Sequence, residues 1–179
     1  CRRVGFMPSG VRIPHCPPML IRNAILKDLN RLKEIEDAAF GRQKINENRF
    51  TIKTRLLAFP KGIFVAESGG KVVGYTASEL RGRITRFALD YDARTRHSPK
   101  GPYMYIATLA VDPKFHGQGI GQVLLRKQLV LAKKLKLRAV VLSTWYARKY
   151  YPRFGFKVYR TIYLKNGEIN YHIFIREVG

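Results

Sequence analysis

The segment VDPKFHGQGIGQVLLRK, residues 111–127, constrains the fold of this chain more than any other stretch. Three glycines, Gly117, Gly119 and Gly121, separate an apolar run that ends at Val111 from a leucine-rich run that begins at Val123. A glycine inside a regular element costs about 0.5–1 kcal/mol relative to alanine, so three together need a reason. The order strand, glycine loop, helix provides one, because the first N–H groups of a helix lack internal partners and attract anions. The segment predicts either a phosphate-binding loop or a glycine-rich turn without a ligand.

Two common phosphate motifs do not fit these glycines. A P-loop requires a Gly-Lys pair where Gln122-Val123 stands. The dinucleotide fingerprint GxGxxG requires its last glycine at the position of Gln122 or of Leu124, depending on where the count begins. The loop therefore belongs to neither class.

The charge of the chain favours an anionic partner. Lys and Arg number 34 against 12 Asp and Glu, a formal net charge of +22. Such a field attracts a phosphate-bearing cofactor, a nucleic acid or another acidic surface, although it also serves solubility alone. The two cysteines and four histidines show no metal-ligand spacing, so no metal site is predicted.

Neither a membrane span nor a signal peptide is predicted. No apolar run reaches the ~20 residues that a bilayer requires, and no apolar stretch follows the basic start of the chain. We therefore expect a cytoplasmic protein.

The pattern along the chain indicates one domain, residues 19–179, after a loose N-terminal extension, residues 1–18, that ends in two prolines. Apolar residues at helical spacing predict a helix over 25–39 and a weaker one over 46–57. Gly69-Gly70 predicts a hairpin turn, and residues 81–101 read as a strand extension and an exposed loop. Further predictions are strands over 103–111 and 139–143, a helix over 120–135, a short helix near 146–151, and two final strands joined by a turn at 165–167.

At the glycine loop the sequence resembles motif A of the GCN5-related N-acetyltransferases (GNAT), which reads Q/R-x-x-G-x-G/A. Gly119 and Gly121 fall on its two glycines, whereas His116 departs from the Gln/Arg position. About thirty residues later, Ala147, Tyr151 and the pair Gly155-Phe156 match the family's A-x-x-x-Y-x-x-x-G-F element. The resemblance covers residues 19–178.

The resemblance implies an α/β (α+β) fold with a mixed, mostly antiparallel central sheet flanked by helices. Two parallel strands, 103–111 and 139–143, would splay apart and hold acetyl-CoA as co-substrate. Its pantetheine would pair with the backbone of the strand, and its pyrophosphate would bind the loop N–H groups. Thr144 would either contact the pantetheine or cap the following helix. The implied cofactor-binding residues besides Thr144 are Leu109, Ala110, Val111, His116, Gly117, Gln118, Gly119, Ile120, Gly121 and Gln122.

The implied activity is an N-acetyltransferase in which an amine attacks the thioester directly within a ternary complex. Tyr151 would protonate the leaving thiolate, with the adjacent Tyr150 as its competitor. No base is identified: Glu79, Asp90, Asp92 or a water chain remain open. The acceptor is a small amine, a protein N-terminus or a lysine, and an oligomer is possible.

Two alternatives from other classes remain open. One is a basic protein that binds nucleic acid or the ribosome and uses this fold without catalysis, in which case its affinity would fall steeply with salt. The other is a regulatory domain that binds CoA but performs no reaction.

Overall fold

The computed structural model describes residues 19–85, 88–145, 147–163 and 169–179. The extension 1–18 and the turn predicted at 165–167 lie outside them. The described residues form seven strands: β1 (Leu20–Asn23), β2 (Ile63–Ser68), β3 (Lys71–Arg81), β4 (Tyr103–Val111), β5 (Ala139–Thr144), β6 (Lys157–Tyr163) and β7 (Ile169–Glu177). The helices are α1 (Leu29–Phe40), α2 (Arg49–Ala58), a four-residue α3 (Ala93–Arg96) and α4 (Ile120–Lys134), with 3-10 turns such as Tyr151–Phe154.

All seven strands belong to one sheet with the order β1-β2-β3-β4-β5-β7-β6. The pair β4–β5 is parallel, and the other neighbouring strands run antiparallel. This arrangement confirms the mixed, mostly antiparallel sheet that the resemblance implied. Among the described residues, no helix is long and apolar enough to cross a membrane.

Helices cover both faces of the sheet. Adjacent strand residues point to opposite faces, and Val65, Val72 and Ala110 pack with Leu32 and Ile35 of α1. Their sequence neighbours Ala66 and Val73 pack instead with Ile120 and Leu124 of α4. The helices α1 and α2 therefore lie on one face and α4 on the other.

The parallel strands part halfway along their length. Residues 103–106 of β4 pair with residues 139–142 of β5, and no pairing continues beyond them. On the other side of β4, Ala77 pairs with Thr108 and Ser78 with Ile106, so Ala107 is the extra residue of a bulge. Because a bulge bends and twists its strand, the bend at Ala107 coincides with the point where β4 leaves β5.

Most predicted elements lie within a few residues of their observed positions. The turn at Gly69-Gly70 joins β2 to β3 with φ of 57° and 74°, which confirms the hairpin. The short helix predicted near 146–151 is wrong in its bounds, since a turn there leads into the 3-10 helix Tyr151–Phe154. Pro152 explains the shift, because proline suits the first turn of a helix and not its interior.

Candidate active site

The gap between β4 and β5 opens into two adjoining cavities. The inner cavity, of about 200 Å³, lies between the strand ends at Ala107 and Ser143. The outer cavity, of about 430 Å³, runs from the end of β4 to the glycine loop. Both are lined by Phe40, Leu109, Ala147 and Tyr151. The two cavities together form one groove, and Tyr151 lies at their junction.

The glycines of the loop are required by backbone conformation. Gly117 and Gly119 both have φ of 78°, in the left-handed region that strains other residues. A Cβ at either position would meet no atom within 4 Å, so space is not what requires glycine in the free protein. Gly119 is also the N-cap residue of α4. The loop thus turns its backbone N–H groups outward at the start of a helix.

The backbone N–H groups of residues 117–121 make no backbone hydrogen bond within the described part of the chain. The flanking amides already have acceptors, since His116 N–H donates to the Pro113 carbonyl at 3.2 Å and Gln122 N–H to that of Gly119 at 3.0 Å. Free amides at a helix N-terminus, aided by the positive end of the helix dipole, suit an anion. Within the implied range of 116–122, the amides without a backbone acceptor are therefore those of residues 117–121.

His116 uses its side chain locally. Its Nε2 atom lies 2.9 Å from the carbonyl oxygen of Val111, and the ring is solvent-exposed. The ring thus joins the loop to the end of β4. In this position it occupies one of the strand carbonyls that the resemblance assigned to the pantetheine.

The predicted cofactor residues cluster around the groove. Leu109, Ala110, Val111, His116, Gly117, Gly119, Ile120, Gly121 and Gln122 line the outer cavity. Thr144 lines the inner cavity, and Gln118 lines neither. The Thr144 hydroxyl accepts a hydrogen bond from Ala147 N–H at 3.1 Å, which is the capping interaction that the sequence left as one alternative.

Tyr151 and Tyr150 have different surroundings. Tyr151 borders both cavities, and burial raises the pKa of its phenol. Its ring lies 5.9 Å from that of Phe156 and 6.1 Å from that of Phe174, and its hydroxyl has no hydrogen-bond partner among the described residues. Tyr150 borders the outer cavity but not the inner one, and its hydroxyl would lie 3.3 Å from a Cβ placed at Gly121. Of these two tyrosines, Tyr151 borders both cavities and Tyr150 borders one.

The inner cavity contains a carboxylate that the sequence did not single out. Glu36 of α1 lines it together with the apolar residues Phe40, Ile45, Leu89 and Trp145. Only 1% of Glu36 is exposed. Burial, reinforced by the nearby Glu47, raises the pKa of Glu36 to about 7.

Glu36 is held by neutral donors. The hydroxyls of Tyr75 and Thr108 donate to its Oε2 atom, the latter at 3.0 Å, and Glu47 N–H donates to its Oε1 atom at 3.2 Å. The sequence contained one clue to this position: Glu36 follows Leu32 by four residues, on the apolar face of α1. The contacts themselves come from β3, β4 and the α1–α2 connection, so they could not be derived from the helix pattern.

The acids that the sequence considered as bases lie elsewhere, and none of them lines the inner cavity. Glu79 is fully buried and accepts from Arg81 and from the Tyr91 hydroxyl, the latter at 2.7 Å. Asp90 accepts from Asn48 N–H, and Asp92 caps α3 and pairs with Arg94. The suggestion that they reach the reacting groups is therefore not supported.

Comparison with known proteins agrees with this architecture. A sequence model of the Acetyltransferase (GNAT) family matches residues 29–156. No curated protein sequence matches the chain. Among solved structures, the loading GNATL domain of CurA from Lyngbya majuscula is similar, with a TM-score of 0.78 and 16% identity over 90% of this chain and 98% of that domain.

Two further solved structures share the fold. The GphF GNAT-like decarboxylase, in complex with isobutyryl-CoA, has a TM-score of 0.71 and 19% identity over 89% of this chain and all (100%) of its own. A GNAT family acetyltransferase from Brucella melitensis, in complex with acetyl-CoA, has a TM-score of 0.59 and 24% identity over 90% of this chain and 89% of its own. The strand–glycine–helix loop, the splayed strands and the family match over most of the domain lead to one conclusion: the chain belongs to the GNAT acetyltransferase family.

Proposed function

We propose that the protein is an acetyl-CoA-dependent N-acetyltransferase in which a primary amine attacks the thioester directly. One observation carries the proposal. A continuous groove joins a loop of unpaired backbone amides to Tyr151 and then to a cavity that contains a buried carboxylate. Such a groove suits a long anionic thioester at one end and an amine at the other.

The outer part of the groove suits the cofactor. The free N–H groups of residues 117–121 would hold the pyrophosphate, since they lack other acceptors. Beyond Ile106, the side of β4 that faces β5 has no strand partner among the described residues. Leu109, Ala110 and Val111 would therefore pair with the pantetheine amides as an added strand does, with the Val111 carbonyl shared with the His116 ring. Support from outside the chain is the family itself and a related fold bound to acetyl-CoA.

The junction of the two cavities suits the chemistry. Acetyl-CoA supplies an activated acetyl group, and its thioester would lie beside Tyr151. The phenol there is protonated at neutral pH, and burial raises its pKa further above the ordinary value near 10. Tyr151 would donate this proton to the departing sulfur, which makes it the catalytic acid.

The proposed cofactor site is tested by calorimetry of acetyl-CoA binding. Gly119→Glu adds a side chain and a negative charge where the pyrophosphate would bind, so we expect binding to be lost. Gly70→Glu is the matched control, because Gly70 has a similar φ of 74°, open space around it and no part in the groove. Equal affinity in the two variants would overturn the assignment.

The proposed reaction is tested by release of CoA thiol in the presence of amines. A panel of 2-phenylethylamine, spermidine, a peptide with a free N-terminus and an N-blocked peptide containing lysine covers the acceptor classes. Transfer to an amine frees the thiol, whereas decarboxylation of an acyl-CoA, the reaction for which the GphF decarboxylase is named, does not. Binding of acetyl-CoA without thiol release would favour a regulatory CoA-binding domain.

The high positive charge permits the nucleic-acid alternative, which predicts a different signature. Nucleic acid would then bind with an affinity that falls linearly on a log–log plot against salt. A salt titration with a short RNA duplex tests this reading independently of thiol release.

A further inference from the structure

We propose that Glu36 is the catalytic base, which receives the acceptor as a primary ammonium on a small apolar stem and removes its proton. The inference rests on the proposed acetyl transfer and adds to it a residue, a role and a class of acceptor. Four features of the described residues carry it: the position of Glu36, its partners, its charge and the walls of its cavity.

Glu36 and Tyr151 approach the groove from opposite faces of the sheet. Glu36 belongs to α1, which packs with Val65, Val72 and Ala110 on one face. Tyr151 packs in the cluster of α4 on the other face, with Phe156 and Phe174. The two faces meet only where the sheet opens, and both side chains line the inner cavity there. A proton acceptor on one side and a proton donor on the other suit a displacement that takes place between them.

The partners of Glu36 set it apart from its neighbours. Its oxygens accept from two hydroxyls and one backbone N–H, and no cation among the described residues pairs with it. Its buried neighbours Glu47 and Glu79 are instead bound by arginines, Arg55 and Arg81. A carboxylate fixed by a guanidinium is a poor proton acceptor, whereas one held by hydroxyls can take up a proton without breaking an ion pair.

The surroundings of Glu36 bring its pKa close to neutral pH, so both its protonated and its ionised form are populated there. Burial and the negative charge of Glu47 raise its pKa to about 7, while hydrogen bonds from Tyr75, Thr108 and Glu47 N–H act in the opposite direction. Arg55 of α2 is bound to Glu47 and not to Glu36. A base whose pKa lies close to the working pH exchanges protons efficiently.

The walls of the cavity define the acceptor. Phe40, Ile45, Leu89 and Trp145 present apolar surface around Glu36. The other lining carboxylate, Glu47, is already paired with Arg55. One ammonium can therefore be matched at Glu36, whereas the further charges of a polyamine would find no partner. The chemistry favours one amino group on a compact apolar stem.

The proton balance is complete with the groups named. Glu36 takes one proton from the ammonium, and the freed nitrogen lone pair forms the N–C bond to the thioester carbonyl carbon. The C–S bond breaks, its electron pair stays on sulfur, and the sulfur takes the phenolic proton of Tyr151. The tyrosinate then takes the second proton from the amide nitrogen. Glu36 finally releases its proton to water, so the net products are the amide, the thiol and one proton.

The test compares Glu36→Gln with Glu34→Gln, an exposed glutamate two residues earlier on the same helix. We measure kcat/KM for 2-phenylethylamine across pH 5.5–9, the affinity for acetyl-CoA, and the melting temperature. We expect Glu36→Gln to lower kcat/KM by ~10²-fold or more at pH 7, to lose the step near pH 7, and to keep its acetyl-CoA affinity. Glu34→Gln should retain the wild-type profile. Glu36→Asp keeps the carboxyl group, so it should retain the step at a reduced rate even where the glutamine variant folds poorly.

The outcomes separate this inference from the proposed function. An active wild type whose profile is unchanged in Glu36→Gln overturns the role of Glu36 and leaves acetyl transfer standing. A wild type that acetylates spermidine faster than 2-phenylethylamine overturns the acceptor class. A wild type that releases no thiol with any amine of the panel overturns both proposals.

Discussion

The groove lies next to an ionic cluster that consists of Glu47, Arg55, Glu79, Arg81 and Tyr91. The two regions contain similar polar groups, but those of the cluster are paired with one another and those of the groove are not. In the groove, the Tyr151 hydroxyl and the amides of residues 117–121 have no partner within the described residues, and Glu36 has no cation. Behind it, Arg55 binds Glu47, Arg81 binds Glu79, and the Tyr91 hydroxyl joins both arginines at 3.0 and 2.9 Å. Residues 117–119 of the groove are exposed to solvent, whereas Glu36 and the acids of the cluster are buried.

The difference indicates which polar groups remain available to bind a ligand. Buried polar groups are normally hydrogen-bonded, because an unmatched one costs about 1–3 kcal/mol. Water can satisfy the exposed amides of residues 117–119, so the indication of a ligand comes from their position beside the Tyr151 hydroxyl along one groove. In the ionic cluster, Arg55 Nε and Glu79 Oε2 lack a hydrogen bond among the described residues but form an ion pair at 3.8 Å. The cluster holds α2, β3 and the loop that carries Tyr91 together.

The largest effect we expect is on the acid of the groove. Tyr151→Phe keeps the ring but removes the proton donor, so kcat should fall by ~10²–10⁴-fold with little change in acetyl-CoA affinity. Tyr150→Phe is the control, since Tyr150 does not border the inner cavity. Both are measured with one amine at saturating acetyl-CoA. A slower Tyr150 variant with a normal Tyr151 variant would reverse the assignment.

The next largest effect lies in the ionic cluster and is structural. Arg55→Met removes the guanidinium that Glu47 and Tyr91 contact, and breaking a buried ion pair costs about 3–5 kcal/mol. Urea unfolding should show this loss. Arg94→Met, which breaks an exposed pair with Asp92, should barely move the urea midpoint. Equal midpoints in the two variants would mean that the cluster does not support the fold.

The pH dependence of stability sharpens the comparison further. The pKa of Glu36 is raised from 4.5 to about 7 in the folded protein, so between these values the folded state retains a proton that the unfolded state has lost. Its contribution to the free energy of unfolding therefore falls as pH rises, by about 3 kcal/mol in total, and levels off above the folded pKa.

The measurement is urea unfolding of the wild type and of Glu36→Gln at intervals from pH 4.5 to 8.5. The difference between the two curves isolates Glu36, because every other titrating group is common to both. We expect the wild type to lose stability relative to the variant over this interval. Parallel curves would show that Glu36 ionises as an ordinary carboxyl group. It would then be permanently charged at neutral pH, like the arginine-paired acids of the ionic cluster.

The smallest effect concerns Thr144, at the edge of the groove. Thr144→Val removes the acceptor of Ala147 N–H and should lower stability by about 1 kcal/mol, with acetyl-CoA affinity unchanged. Thermal unfolding and calorimetry measure the two quantities separately. A weaker affinity would show that the hydroxyl also contacts the cofactor.

Local patterns predicted most elements of the fold because their causes are local. The alternation and turn residues around Gly69-Gly70 define the β2–β3 hairpin, and the spacing of Leu29, Leu32 and Ile35 defines α1. The one misplaced element, the helix near 146–151, depends on how Pro152 is accommodated. That choice involves packing against Phe156 and Phe174, which the periodicity does not contain.

The sequence by itself determined the glycine loop, because positive φ values and unpaired helix N–H groups are properties of a few consecutive residues. It also located Tyr151 through a motif within a single segment. Only the tertiary structure decided that Glu36 and Tyr151 line the same cavity. Their shared position depends on where β4 leaves β5 and on helices that cover opposite faces of the sheet. The shifted pKa of Glu36 likewise arises from residues 11 to 72 positions away, whose fields act through space once the chain has folded.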